Sequence, residues 1–159
     1  MSNIQTQAID STGGIKGAVK LTFTNVETGE QEVIHILNVF VYPGKCAIAA
    51  RLAQQQTNQG KITYMATGTG TSVPGQSDIH LHAELFRKAI SVFAVNSNVA
   101  TFTTFYSTTE SNGVITEIGL FGDDATATNS SGTMYAHTTV SKTKTSSDTL
   151  TIEWAIVIN

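Results

Sequence analysis

Along most of this chain, hydrophobic and polar positions alternate with a period of two, the pattern of strands with one buried and one wet face. Val19, Leu21 and Phe23 alternate with Lys20, Thr22 and Thr24, and Asn25–Glu30 then supplies a turn in which Gly29 can take positive φ. Glu32–Tyr42 reads as a second strand, paired with the first as a hairpin. Its Val33, Leu37 and Val39 lie on one face and its Ile34, Ile36 and Phe40 on the other, which predicts that both faces are covered. Pro43-Gly44 breaks that strand. The Ala-rich run Lys45–Gln54 predicts a helix, with Cys46 as a small core residue. Ile62–Ala66 reads as a short strand leading into the loop Thr67–Gln76, and a second short helix is expected over Asp78–Phe86. From Lys88 onward the pattern is all β. Val92–Val95 and Val99–Tyr106 flank an Asn96-Ser97-Asn98 turn, and Val114–Phe121, Thr133–Val140 and Thr149–Ile158 follow as strands. The expected fold is mainly β: an antiparallel β-sandwich with one or two short helices, in one domain over 17–159. Residues 1–16 are polar and without period, so they are expected to form a flexible arm, with Asn3, Ile4 and Gln5 as candidate assembly residues.

Composition sharpens this picture. Of the 159 residues 40% are apolar, which is ordinary, but only 13% are charged. A β surface poor in charge is ill protected against edge-to-edge pairing, and it suits a chain whose neighbours cover it. The net charge of −3 speaks against nucleic acid as a partner. Cys46 is the only cysteine, so no intramolecular disulfide exists. The opening residues lack the basic and apolar regions of a secretory signal. No apolar run approaches the roughly 20 residues of a membrane helix. The expectation is a soluble protein made in a cytoplasm, without a membrane partner or a cofactor.

Candidate chemistry is sparse. The GTGTS run containing Gly68 and Gly70 lacks the Lys of a phosphate-binding loop and the third Gly of a dinucleotide fingerprint, and is read as a tight turn needing flexible backbone. His80 and His82 would share a face on a strand, with Glu84 or His137 as a third ligand, but no spacing rule links them and no metal centre is assigned. Neither a GxSxG elbow nor a paired base is present, so no catalytic residue is assigned. Glu117 stands among Ile115, Ile118, Leu120 and Phe121, and a carboxylate in such a setting needs a partner if buried. Strand alternation places it with Ile115, Gly119 and Phe121, opposite Ile118 and Leu120. Arg87, three residues after Glu84, has the planar fork to serve it.

The ordered segments YMATGTGTSVP, AELFRKAI, ITEIGLFG, GTMYAHTTV and KTSSDTLTIEWAIVI resemble the small domains of bacteriophage tail-collar and tail-fibre proteins, including the amino-terminal attachment domain of long fibres. The resemblance spans Lys61–Asn159 and is carried by Glu84, Arg87, Glu117, Gly119, Leu120, Phe121 and Gly132. It implies a non-enzymatic virion structural protein, assembled in the host bacterial cytoplasm. Such a protein would act as a tail, baseplate or fibre-attachment adaptor, with itself as a homotrimer and other phage tail or capsid proteins as partners. It also implies an internal Glu117–Arg87 pair. Fibre proteins of this type continue into a shaft and a receptor-binding tip, and no such segment follows Asn159, which favours an adaptor, collar or decoration role. Two alternatives stand beside it: a capsid decoration (cement) protein, and a carbohydrate-binding adhesion module using Tyr64, Tyr106 and Tyr135.

Overall fold

The computed structural model describes residues 14–54 and 60–159, so the candidate assembly residues Asn3, Ile4 and Gln5 lie outside the described residues. The described elements are β1 (Ile15–Asn25), β2 (Gln31–Leu37), β3 (Val39–Phe40), α1 (Tyr42–Leu52), β4 (Ile62–Gly68), β5 (Glu84–Ala89), β6 (Val92–Asn96), β7 (Val99–Tyr106), β8 (Gly113–Gly122), β9 (Thr133–Lys144) and β10 (Asp148–Ile158). They form two antiparallel sheets, ordered β2-β1-β10-β7-β6 and β3-β9-β8-β4-β5. The β-sandwich expected from the alternating pattern is therefore present, with one helix among the described residues. Ile15 and Lys16 pair with Ile158 and Val157, so the first sheet takes in the last two residues of the expected arm.

The core lies between the sheets. Val19, Leu21 and Phe23 of β1 and Leu150, Ile152, Trp154 and Ile156 of β10 meet Met65, Ile115, Ile118 and Leu120 from the second sheet. Ile115 joins Ile118 and Leu120 in the core, although it stands an odd number of residues from each, because the β8–β9 register slips between Ile115 and Glu117. That bulge corrects the predicted alternation: Ile115 faces the core, while Glu117 and Gly119 face outward from the sandwich.

The expected continuous strand Glu32–Tyr42 is in fact divided at Asn38. Its first part, β2, is an edge of the first sheet with Val33 and Leu37 exposed, and its second part, β3, belongs to the other sheet. Asn38 makes the crossing. Its Oδ1 accepts from Trp154 Nε1 at 2.9 Å, and its side chain fills the space that Gly17 leaves open. The helix starts three residues earlier than predicted, because Pro43 fits the first turn instead of barring it. Gly44 lets the helix rest on β9, where a Cβ would come within 2.6 Å of the Tyr135 backbone. Cys46 is exposed, not a core residue. The helix expected over Asp78–Phe86 is absent: Glu84–Ala89 pairs with β4, and the residues before it have a different use for their amides.

Candidate functional site

The segment between β4 and β5 lies across the outer face of the second sheet, over β8 and β9. Glu117 of β8 is the post to which it is tied. This side chain is 0% exposed. Its Oε1 accepts from the amides of Gly70 (2.9 Å) and Ala83 (2.8 Å), and its Oε2 from the amide of His82 (3.0 Å). The same Oε2 lies 3.3 Å from His82 Nδ1 and 3.1 Å from His137 Nε2. On its far side, His137 Nδ1 meets Asp78 Oδ2 at 2.7 Å, and that oxygen also accepts from the Gly75 amide at 2.8 Å. A loop without regular pairing of its own thus satisfies its main chain on one carboxylate, which explains why His82 and Ala83 are not helical.

Burial raises the Glu117 carboxyl, but the amides of Ala83, His82 and Gly70 and the neighbouring His137 outweigh it and hold the group below the usual carboxylate range. Asp78 follows the same balance: burial pushes it up, and the Gly75 amide and His137 bring it below its ordinary value.

The glycines singled out in the sequence serve by lacking a side chain. Gly68 and Gly70 do not adopt positive φ, so the flexible-turn reading is corrected. A Cβ on Gly68 would stand 2.6 Å from Glu117 Oε1, and one on Gly70 2.3 Å from it. At Gly119 a Cβ would strike the Phe121 ring at 2.7 Å and Leu81 at 2.9 Å. Gly70→Ala is therefore expected to cost about 1–3 kcal/mol through overpacking, measured by urea denaturation against the parent protein.

The expected pairing of Arg87 with Glu117 is corrected. Arg87 grips Glu84 through Nε–Oε1 at 2.7 Å and Nη2–Oε2 at 2.9 Å, with both side chains almost wholly buried. Its Nη1 donates to the Ser131 carbonyl (2.8 Å), Ser131 Oγ (3.0 Å) and the Thr126 carbonyl (3.3 Å), and its guanidinium lies 4.4 Å from the Phe121 ring centroid. Residues three apart on a regular strand face opposite ways, but the β4–β5 register slips between Thr67 and Gly68 and brings Glu84 round to Arg87. Glu84 and Arg87 hold the Thr126–Ser131 loop, and Glu117 holds the Gly70–Ala83 loop.

The structure brings His82 together with His137 and Glu117, and leaves His80 and Glu84 out of that group. Asp78 and the main-chain amides were not singled out from the sequence. The signal available for them was a lone carboxylate in an apolar strand facing a Gly-x-Gly run. Comparison with protein-family models, curated proteins and solved structures gives no match to this chain.

Proposed function

We propose that this protein is a structural subunit of a bacteriophage particle, an adaptor of the tail, baseplate or fibre attachment that works by assembling with copies of itself and with other virion proteins. The ordered motifs from Lys61 to Asn159 support the phage reading, and one structural observation supports assembly. Strand β6 overhangs the sandwich. All five of its residues are exposed, including Val92 at 53%, Phe93 at 57% and Val95 at 79%. Among the described residues it pairs only on its β7 side, and it carries no charge, proline or bulge to discourage a further strand. An apolar strand with one vacant edge is a template for strand addition, and a second copy of this chain is the proposed occupant.

The adhesion alternative has less to work with, since two of its three tyrosines serve the interior. Tyr106 is buried and donates to the Met65 carbonyl at 2.9 Å, while buried Tyr135 donates to Asp123 at 2.7 Å.

Light scattering on the purified chain tests the proposal. The expected mass is a multiple of 16.9 kDa, reduced to a monomer by Phe93→Glu with Val95→Lys. The exposed Val95 change is expected to alter fold stability by no more than about 0.5 kcal/mol, and Phe93→Glu, which gives up an edge contact with Phe102, by about 0.5–1.5 kcal/mol. A chain that stays monomeric in solution, and touches no second copy in an assembled particle, overturns the self-assembly reading.

A further inference from the structure

The Glu117 cluster has a donor count that hydrogen bonds alone leave unbalanced. Each carboxylate oxygen offers about two lone-pair sites. The Gly70 and Ala83 amides take both on Oε1, and the His82 amide takes one on Oε2. One site is left, and two imidazole nitrogens converge on it, His82 Nδ1 at 3.3 Å and His137 Nε2 at 3.1 Å. Asp78 fixes the other end of His137: its Oδ2 stands 2.7 Å from Nδ1, which turns Nε2 toward Glu117. Two ring nitrogens and one carboxylate oxygen within 4.8 Å of one another are a donor set for a metal ion.

We propose that His82 Nδ1, His137 Nε2 and Glu117 Oε2 bind one divalent transition-metal ion of the zinc class, with Asp78 orienting His137 from behind. The distances suit it. Zinc lies about 2.0–2.1 Å from His nitrogen and about 2.0–2.2 Å from carboxylate oxygen, so two ligands at a tetrahedral angle stand roughly 3.3–3.4 Å apart. The observed nitrogen-to-oxygen separations are 3.1 and 3.3 Å, and the three donor atoms lie within 4.8 Å of one another. Asp78 completes the carboxylate–histidine–metal arrangement that sets ring tautomer and orientation. A divalent charge also neutralises the Asp78 and Glu117 carboxylates together. His82 is the exposed member, its side chain 36% accessible, so the ion enters from that side and water takes the fourth position. The ion would rivet the β4–β5 loop to β8 and β9. This inference does not depend on the virion reading: it concerns how one chain holds its own loop.

The test uses the full chain, stripped with chelator and titrated with Co²⁺ and then Zn²⁺. The expected results are one ion per chain by calorimetry, the intense visible bands of tetrahedral Co²⁺, their loss on adding Zn²⁺, and a raised melting temperature in the loaded protein. His82→Ala should weaken binding by more than the roughly 10–100-fold expected of an outer-shell change such as Asp78→Asn. His80→Ala, whose parent ring turns to the Leu81 carbonyl, should bind fully. Ring ¹⁵N resonances read the same question in the unmutated protein: those of His82 and His137 should shift with Zn²⁺ while those of His80 stay. Absence of binding by the stripped protein, ring shifts that spare His82 and His137, or unchanged affinity in a folded His82→Ala variant would overturn the proposal.

Discussion

Replacing Glu117 with Ala is expected to lower the stability of the metal-free protein by about 3–5 kcal/mol, and the melting temperature by about 10 °C. The carboxylate is fully buried and serves three amides from one loop, so its removal leaves those donors without their acceptor. His137 loses its Nε2 partner at the same time, while its Nδ1 stays tied to Asp78. The damage is local in origin: hydrogen exchange should accelerate first at the Gly70, His82 and Ala83 amides, before the β1–β10 ladder. Equal acceleration throughout would mean that Glu117 supports the sandwich as a whole and not the loop.

Arg87→Ala is expected to have an effect of similar size, about 3–5 kcal/mol, because it strands the buried Glu84 carboxylate and frees two loop carbonyls. Replacing both residues with apolar side chains of similar volume should be milder than either single truncation, since no unpaired charge is then left inside. A double-mutant cycle checks the assignment. Coupling between Arg87 and Glu84 should fall in the range of about 0.5–3 kcal/mol found for residues in direct contact. Coupling of Arg87 with Glu117 should be weaker, because each belongs to its own network. The reverse order would restore the pairing inferred from sequence resemblance.

What could be read from sequence divides along a physical line. Both short hairpins were legible, because Asn25 with Gly29 and Asn96-Ser97-Asn98 are local turn signals flanked by alternating residues. The need to bury Glu117 against partners was legible too, from a single carboxylate among isoleucines, leucine and phenylalanine. The partners themselves were not, because three of them are main-chain amides, which no letter in a sequence distinguishes. The side to which Ile115 turns was hidden by a bulge, and the bulge near Gly68 likewise hid the Glu84–Arg87 match. The helix expected over Asp78–Phe86 failed for a different reason. Its last residues, Glu84–Phe86, had the sheet edge of β4 available to them, and tertiary pairing outweighed local preference. Asn38 carried no sign of a crossing, since the apolar pattern continues on both sides of it.

The place of β10 in the first sheet has a consequence for how the chain is made. β10 lies between β1 and β7, joined to β1 from Ile15↔Ile158 to Asn25↔Asp148. On the ribosome, β1 and β2 emerge early as a hairpin, and β6 and β7 later as another, but the strand that unites them is translated after both. Until then, each hairpin presents an open apolar flank, and neither can complete its half of the interior. Acquisition of the native state is thus tied to release of the last strand, and ribosomes stalled before Asp148 would hold two unjoined hairpins ready to pair with the wrong neighbour.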